Sequence, residues 1–199
     1  MACLRLGYKN PAWAGSFQKR NPYPGIYDML IMDEPHMTSP RPAAILFSLT
    51  MAIGFVGVFF GIYFAFVELA LGVQVAALFL VGITGIVSFL RHSVFWRSDQ
   101  ARMGWRSENP QFQMEVGFAN LAVGVVSIAA VVLAWGTAAV GTTLLIYGVY
   151  IAGAAAVHVR DALGEPERRP AVLKKVLYTG FFAVALLAFG VFAVLNAAP

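Results

Sequence analysis

Residues 43–90 read AAILFSLTMAIGFVGVFFGIYFAFVELALGVQVAALFLVGITGIVSFL, and Glu68 is the one charged side chain among them. A helix needs roughly 20 consecutive apolar residues to cross a hydrocarbon core about 30 Å thick. Residues 43–67 and 73–90 each supply such a segment, and the short link around Glu68, Leu69, Ala70, Leu71 and Gly72 joins them. The stretch therefore predicts an antiparallel pair of membrane-spanning helices. Arg91 and His92 close the second one.

The same pattern recurs downstream. Apolar segments at residues 114–135, 138–157 and 176–196 predict three further spans. Asn109 and Pro110 read as a helix cap followed by proline in the first turn, so the third span's helix starts there. The chain is 59% hydrophobic and 12% charged, against about 25% charged in a typical soluble domain. The fold class expected is an all-α, polytopic membrane helix bundle over residues 42–199, with about five transmembrane helices. Small residues mark where these helices meet: Gly54, Gly57 and Gly61, then Gly82 and Gly85, Gly117, Gly124 and Ser127, and finally Gly148, Ala152 and Ala155.

Charge sets the orientation. All 14 Lys and Arg fall in residues 1–41, 91–115 and 158–175, whereas the two short connections on the other side carry only Glu68. This positive-inside asymmetry places the N-terminus in the cytoplasm and, after five spans, the C-terminus outside. Trp96 and Trp105 suit an inner aromatic belt and Trp135 an outer one. The formal charge of +4 does not indicate nucleic acid, because the basic residues flank spans and interleave with acids. They are topology determinants first and contacts to anionic lipid headgroups second. Cys3 is the only cysteine, so no intrachain disulfide forms. The first 41 residues hold no apolar core long enough for a signal peptide, and the first span is expected to act as an uncleaved insertion signal.

Residues 1–41 are polar and punctuated by Asn10-Pro11, Asn21-Pro22, Pro24-Gly25, Glu34-Pro35 and Ser39-Pro40. No helical period persists there. Tyr8, Trp13, Phe17, Tyr23 and Tyr27 are too many aromatics for a typical disordered tail. The expectation is an extended, non-helical cytoplasmic arm packed on a partner protein; the plainer alternative is a flexible arm touching headgroups.

His92, Glu115 and His158 sit at the inner ends of spans, with Asn120 about one and a half turns deeper. Polar groups at membrane depth are expensive and mark function or pairing. Two imidazoles and a carboxylate are the ligand types of non-haem iron or zinc centres, so these three form a candidate metal set. His92 and His158 are also candidate ligands of a tetrapyrrole, with Ala154 leaving room for a flat ring. The alternative is that water, headgroups or a loop arginine satisfies them. On an ideal helix Glu115 and Asn120 stand about 140° apart, so they do not both face one pocket unaided. Asn120, among small residues, reads as a structural polar group bonding across to a neighbouring helix. Glu68 and His36 read as solvated.

The stretch from His92 through Gly104-Trp105 to Phe112-Gln113-Met114-Glu115-Val116-Gly117-Phe118-Ala119-Asn120-Leu121-Ala122-Val123-Gly124 resembles a group of small prokaryotic multi-pass membrane proteins that share a domain of unknown function. That pattern is His, Gly-Trp, then Phe-Gln-x-Glu-x-Gly-x-Ala-Asn-Leu-x-x-Gly, with a further His closing a later span; His158 takes that last place. In outline the group is similar to the four-span DoxX-like bundles. The resemblance covers about residues 85–160. It implies His92, Glu115, Asn120 and His158 as the group to test, and supplies no activity. After His158 the residues Val159 to Pro170 depart from the Asn-, Pro- and Gly-rich stretch of the group, which puts any ligand site there in doubt.

No Gly-rich phosphate loop, nucleophile elbow or catalytic cysteine signature occurs, and no span carries a lysine for a retinal Schiff base. The function expected is therefore an accessory subunit of a larger bacterial inner-membrane complex of respiratory, photosynthetic or oxygenase type. Its partners are other membrane subunits and lipids. The alternative is a small membrane enzyme or redox protein with a metal, haem or quinone at the cytoplasmic ends of spans two to four.

Overall fold

Helix α1 (Arg41–Ala65) begins with a proline in its first turn, where the missing N–H is no loss. The Ala43 N–H, which has no carbonyl within α1 to bond, is taken up by the Ser98 hydroxyl at 3.0 Å; that hydroxyl in turn donates to the Ser39 carbonyl at 2.6 Å. This computed structural model describes residues 39–103, 110–164 and 169–197. The aromatic set Tyr8, Trp13, Phe17, Tyr23 and Tyr27, together with His36, Trp105 and Asn109, lies outside the described residues.

The chain reverses after Ala65, and Glu68, extended and exposed, caps the next helix. Helix α2 spans Leu69–Val94 and contains two π-helical segments, Leu78–Ile83 and Leu90–Val94. Short α3 (Trp96–Met103) folds back beneath it. Then come α4 (Gln111–Val132), α5 (Thr137–Gly164) and α6 (Arg169–Leu195). The described residues contain no strand. Five helices are long and apolar enough to cross a membrane, as the sequence predicts; α3 is the addition.

The α4–α5 turn closes with paired bonds, Trp135 N–H to the Ala130 carbonyl at 3.0 Å and Ala134 N–H to Val131 at 3.2 Å. This helix stop needs a left-handed residue, and Ala134 supplies it at φ 52°, with Gly136 at φ 92° just after. Trp135 is exposed, as expected of a belt residue, whereas Trp96 is buried inside the bundle rather than in an aromatic belt.

Of the spans, α2 is the most buried and α1 the least. The core collects Val73, Leu80 and Val81 from α2, Val140 and Leu144 from α5, and Phe182 and Leu186 from α6. Helices α2 and α4 touch backbone to backbone: a Cβ on Gly124 would stand 2.9 Å from the Gly82 carbonyl, and one on Gly85 2.6 Å from that of Asn120. Deeper along the same contact, Ser127 donates to the Ala77 carbonyl at 3.2 Å and accepts from Thr143 at 3.1 Å. Ala77 is the last residue before the first π-helical segment, where the altered ladder leaves carbonyls in need of partners.

Candidate functional site

The second π-helical segment, Leu90–Val94, ends α2 with a wider turn than an α-helix makes. Its Arg91 and His92 side chains touch each other and both face Asp99 of α3. Asp99 is fully buried, although it lies in one of the three basic, polar stretches between spans. Arg102, one turn further along α3, donates to Asp99 Oδ1 from Nε at 3.0 Å and from Nη2 at 2.8 Å. Gln113, buried in the first turn of α4, donates from Nε2 to Asp99 Oδ2 at 3.1 Å. The Phe47 ring of α1 lies under both guanidiniums, 4.7 Å from Arg102 and 5.4 Å from Arg91, and the two cations gain from its π face. Side chains of α2, α3 and α4 thus converge on one carboxylate, and α1 supplies the ring beneath its two arginines.

The hydrogen bonds fix the state of His92. Arg91 Nη2 lies 2.8 Å from His92 Nε2. The guanidinium can only donate, so Nε2 accepts and the ring proton sits on Nδ1. That nitrogen lies 2.9 Å from Asp99 Oδ2, close enough for a hydrogen bond but not aligned for one. Arg91 Nε, 4.0 Å from Asp99 Oδ1, and Gln113 Oε1 have no hydrogen-bond partner. Burial alone pushes the Asp99 carboxyl up; the His92 contact and the Arg91 and Arg102 charges more than reverse it and hold the group at about 2. Asp99 is an anion at any physiological pH.

This cluster forms one end of a cavity of about 660 Å3. Its body is apolar, lined by Met51, Leu80, Val116, Ile151, Phe182 and Leu186 among others. A polar wall joins it from α4 and α5. Tyr147 donates to Asn120 Oδ1 at 2.7 Å, and Asn120 Nδ2 donates to the Val116 carbonyl at 2.6 Å and to the Tyr150 hydroxyl at 3.1 Å. The two tyrosine rings stack, centroids 5.8 Å apart. Asn120 therefore does bond across to a neighbouring helix, and it lines the cavity as well.

His92 and His158 both line this cavity. Glu115 does not: it is exposed on the opposite face of α4 from Asn120, the placement that their angular separation requires. The structure therefore does not draw His92, Glu115 and His158 into one set, and among the described residues no three His, Cys, Asp or Glu side chains are grouped as metal ligands. His92 Nε2 is taken by Arg91, and Nδ1 stands 2.9 Å from Asp99, so an iron or zinc ligated there requires Arg91 or Asp99 to give way. Asp99, Arg102, Gln113 and the tyrosine pair are the site residues that sequence reasoning missed. The one local signal was the i, i+3 spacing of Asp99 and Arg102, which suits an ion pair on a helix.

The profile of a family of unknown function, DUF6790, matches residues 44–198, nearly all of the bundle and all of the cavity. The chain belongs to DUF6790. No curated protein and no solved structure matches it. The chemistry of this DUF6790 site has to be read from its own side chains.

Proposed function

We propose that the bundle is an intramembrane binding protein for a small amphiphile, held with its polar head at Arg91, His92 and Arg102 and its apolar body among Met51, Leu80 and Phe182. The cavity carries this reading. Its volume of about 660 Å3 falls in the range of roughly 300–1,000 Å3 typical of small-molecule sites. An apolar body with a few convergent polar groups at one end is the usual form of such a site. Of the groups weighed from sequence, a quinone suits this shape better than a metal or haem. The basic residues flanking the polar end support a cytoplasmic location for it, in a bacterial inner membrane, with the C-terminus outside.

The test is native mass spectrometry of the full chain after mild-detergent extraction, wild type against Gly153→Phe. Gly153 lines the cavity, and a Cβ there meets nothing within 4 Å, so a larger side chain starts out in open space. A lipophilic molecule retained by wild type and lost from the variant at equal yield supports the reading. Equal retention by both, or none by wild type, refutes it.

A second reading, the accessory subunit of a larger complex, has one support in the bundle. Helix α1 is the least buried span and exposes Phe55, Phe59, Phe60, Tyr63 and Phe66, an aromatic face suited to another subunit's helices. Deletion of residues 1–38 is expected to release the protein from its partners with the bundle still folded. Unchanged co-purification would count against the arm as anchor.

A further inference from the structure

The charges of the described residues lining the cavity do not balance. Among the described residues lining it, Asp99 is the one acid, set against Arg91 and Arg102. Arg102 engages that carboxylate with two hydrogen bonds, and Gln113 with a third. Arg91 is left over. Its Nη2 bonds the neutral His92 ring, and its Nε stands 4.0 Å from Asp99 with no partner. Its side chain is only 11% exposed. Buried cations are normally paired with an anion, because the face of an aromatic ring and a neutral acceptor recover only part of the lost hydration. A guanidinium fixed on one side by His92 and Phe47 and lining the cavity is pre-organised for an oxyanion.

The way in is through lipid. The exposed members of the lining are Phe112 on α4, Val149, Gly153 and Val157 on α5, and Tyr178 on α6. Val149, Gly153 and Val157 form a single stripe at four-residue spacing within the fourth span. The mouth is thus apolar and opens sideways, at the depth of the hydrocarbon. From Arg91 the cavity runs down α2 to Leu80, a length of roughly 16 Å at 1.5 Å per residue.

We propose that the cavity takes a single-chain anionic amphiphile directly from the bilayer, its carboxylate or phosphate head on Arg91 and its acyl chain along α2. This rests on the reading of the cavity as an amphiphile site and adds the charge of the head and the route of access. A neutral head, such as a quinone or an alcohol, leaves the Arg91 charge uncompensated.

The experiment is competition binding on the full chain in nanodiscs of zwitterionic lipid, with tritiated hexadecanoate as the probe. Unlabelled hexadecanoate, hexadecanol and a single-chain lysophosphatidate are the competitors. In wild type the two anions are expected to compete at least about tenfold better than the alcohol, as a charge-assisted bond to a buried guanidinium requires. Arg91→Gln should erase that preference, and Arg91→Lys should keep part of it. Whichever anion competes better identifies the carboxylate or the phosphate as the natural head. Equal competition by alcohol and anions in wild type overturns the proposal and needs no variant, so a folding defect cannot obscure it. Preference retained in Arg91→Gln also overturns it. If hexadecanoate and all three competitors fail to bind, the amphiphile site itself falls; equal binding removes only the charge selection.

Discussion

Asp99→Asn removes one charge from the cluster and keeps its shape, which makes it the sharpest probe of the site. In the wild-type bundle the carboxylate takes two bonds from Arg102, one from Gln113 and the close His92 contact, and is fully buried. Removing one partner of a buried ion pair costs about 3–5 kcal/mol. Asparagine still accepts one or two of these bonds, so the lower end, about 3 kcal/mol near pH 6, is expected. The pH dependence gives an independent magnitude. The group lies at about 2 in the bundle against an ordinary 3.8, a difference that corresponds to about 2 kcal/mol. Because the folded value is the lower one, this stabilisation is fully present above pH 4. It fades as pH falls from 3.8 towards 2. The gap between wild type and Asp99→Asn should therefore shrink by about 2 kcal/mol between pH 6 and pH 2. Unfolding in mixed micelles, followed by tryptophan fluorescence across that range, measures it, and taking the difference between the two proteins cancels carboxylates common to both. A gap that stays constant or widens on acidification would show that the Asp99 charge is not what the cations stabilise.

Five further perturbations test the surrounding frame. Tyr147→Phe strips the donor from Asn120 Oδ1 in a buried setting and is expected to destabilise by about 1–3 kcal/mol. Tyr150→Phe should cost less in the same unfolding assay, because Asn120 Nδ2 keeps its bond to Val116. Gly124→Val drives a Cβ to 2.9 Å from the Gly82 carbonyl, a backbone atom that cannot yield, and should cost about 3 kcal/mol or more and lower the folded yield. Gly153→Ala, in open space, should be neutral or stabilising by up to about 1 kcal/mol on that measure. Ser98→Ala frees the Ala43 N–H and should cost about 1 kcal/mol, with faster amide exchange at Ala43 than in wild type by hydrogen-exchange mass spectrometry.

The fold was legible because bilayer crossing imposes a length and a composition that the sequence cannot disguise. Five apolar runs and three basic stretches carry that information without any tertiary contact. That Glu115 and Asn120 face different ways was legible too, since a fixed angle per residue separates them; which one faces inward was not, and Glu115, expected in a ligand set, is the exposed one. Asp99 was not. The helix Trp96–Met103 has eight residues, too few for an apolar period to emerge, and four of its buried side chains are Trp96, Ser98, Asp99 and Gln100. Burial there follows from partners on three other helices, not from local hydrophobicity. The π-helical segments were equally hidden, because Leu78–Ile83 and Leu90–Val94 have the composition of ordinary α-helix.

Those hidden features belong to one device. Ending α2 on a wide turn lets Arg91 and His92, adjacent in sequence, contact the same carboxylate. Phe95 closes the turn by donating to the Leu90 carbonyl at 2.8 Å. The chain then enters α3, where Ser98 ties the start of α1 and Asp99 gathers the cations. Two adjacent residues of this short helix therefore do different work: Ser98 completes the fold, and Asp99 hydrogen-bonds Arg102 while facing Arg91 without a hydrogen bond. Among the described residues the two buried arginines share one anion, and a bundle that needed only to be stable would gain nothing by that, since apolar side chains fill such a position at no desolvation cost. The surplus charge at the head of an apolar cavity is thus the place where local stability rules are broken, and in folded proteins such breaks concentrate where a ligand is bound.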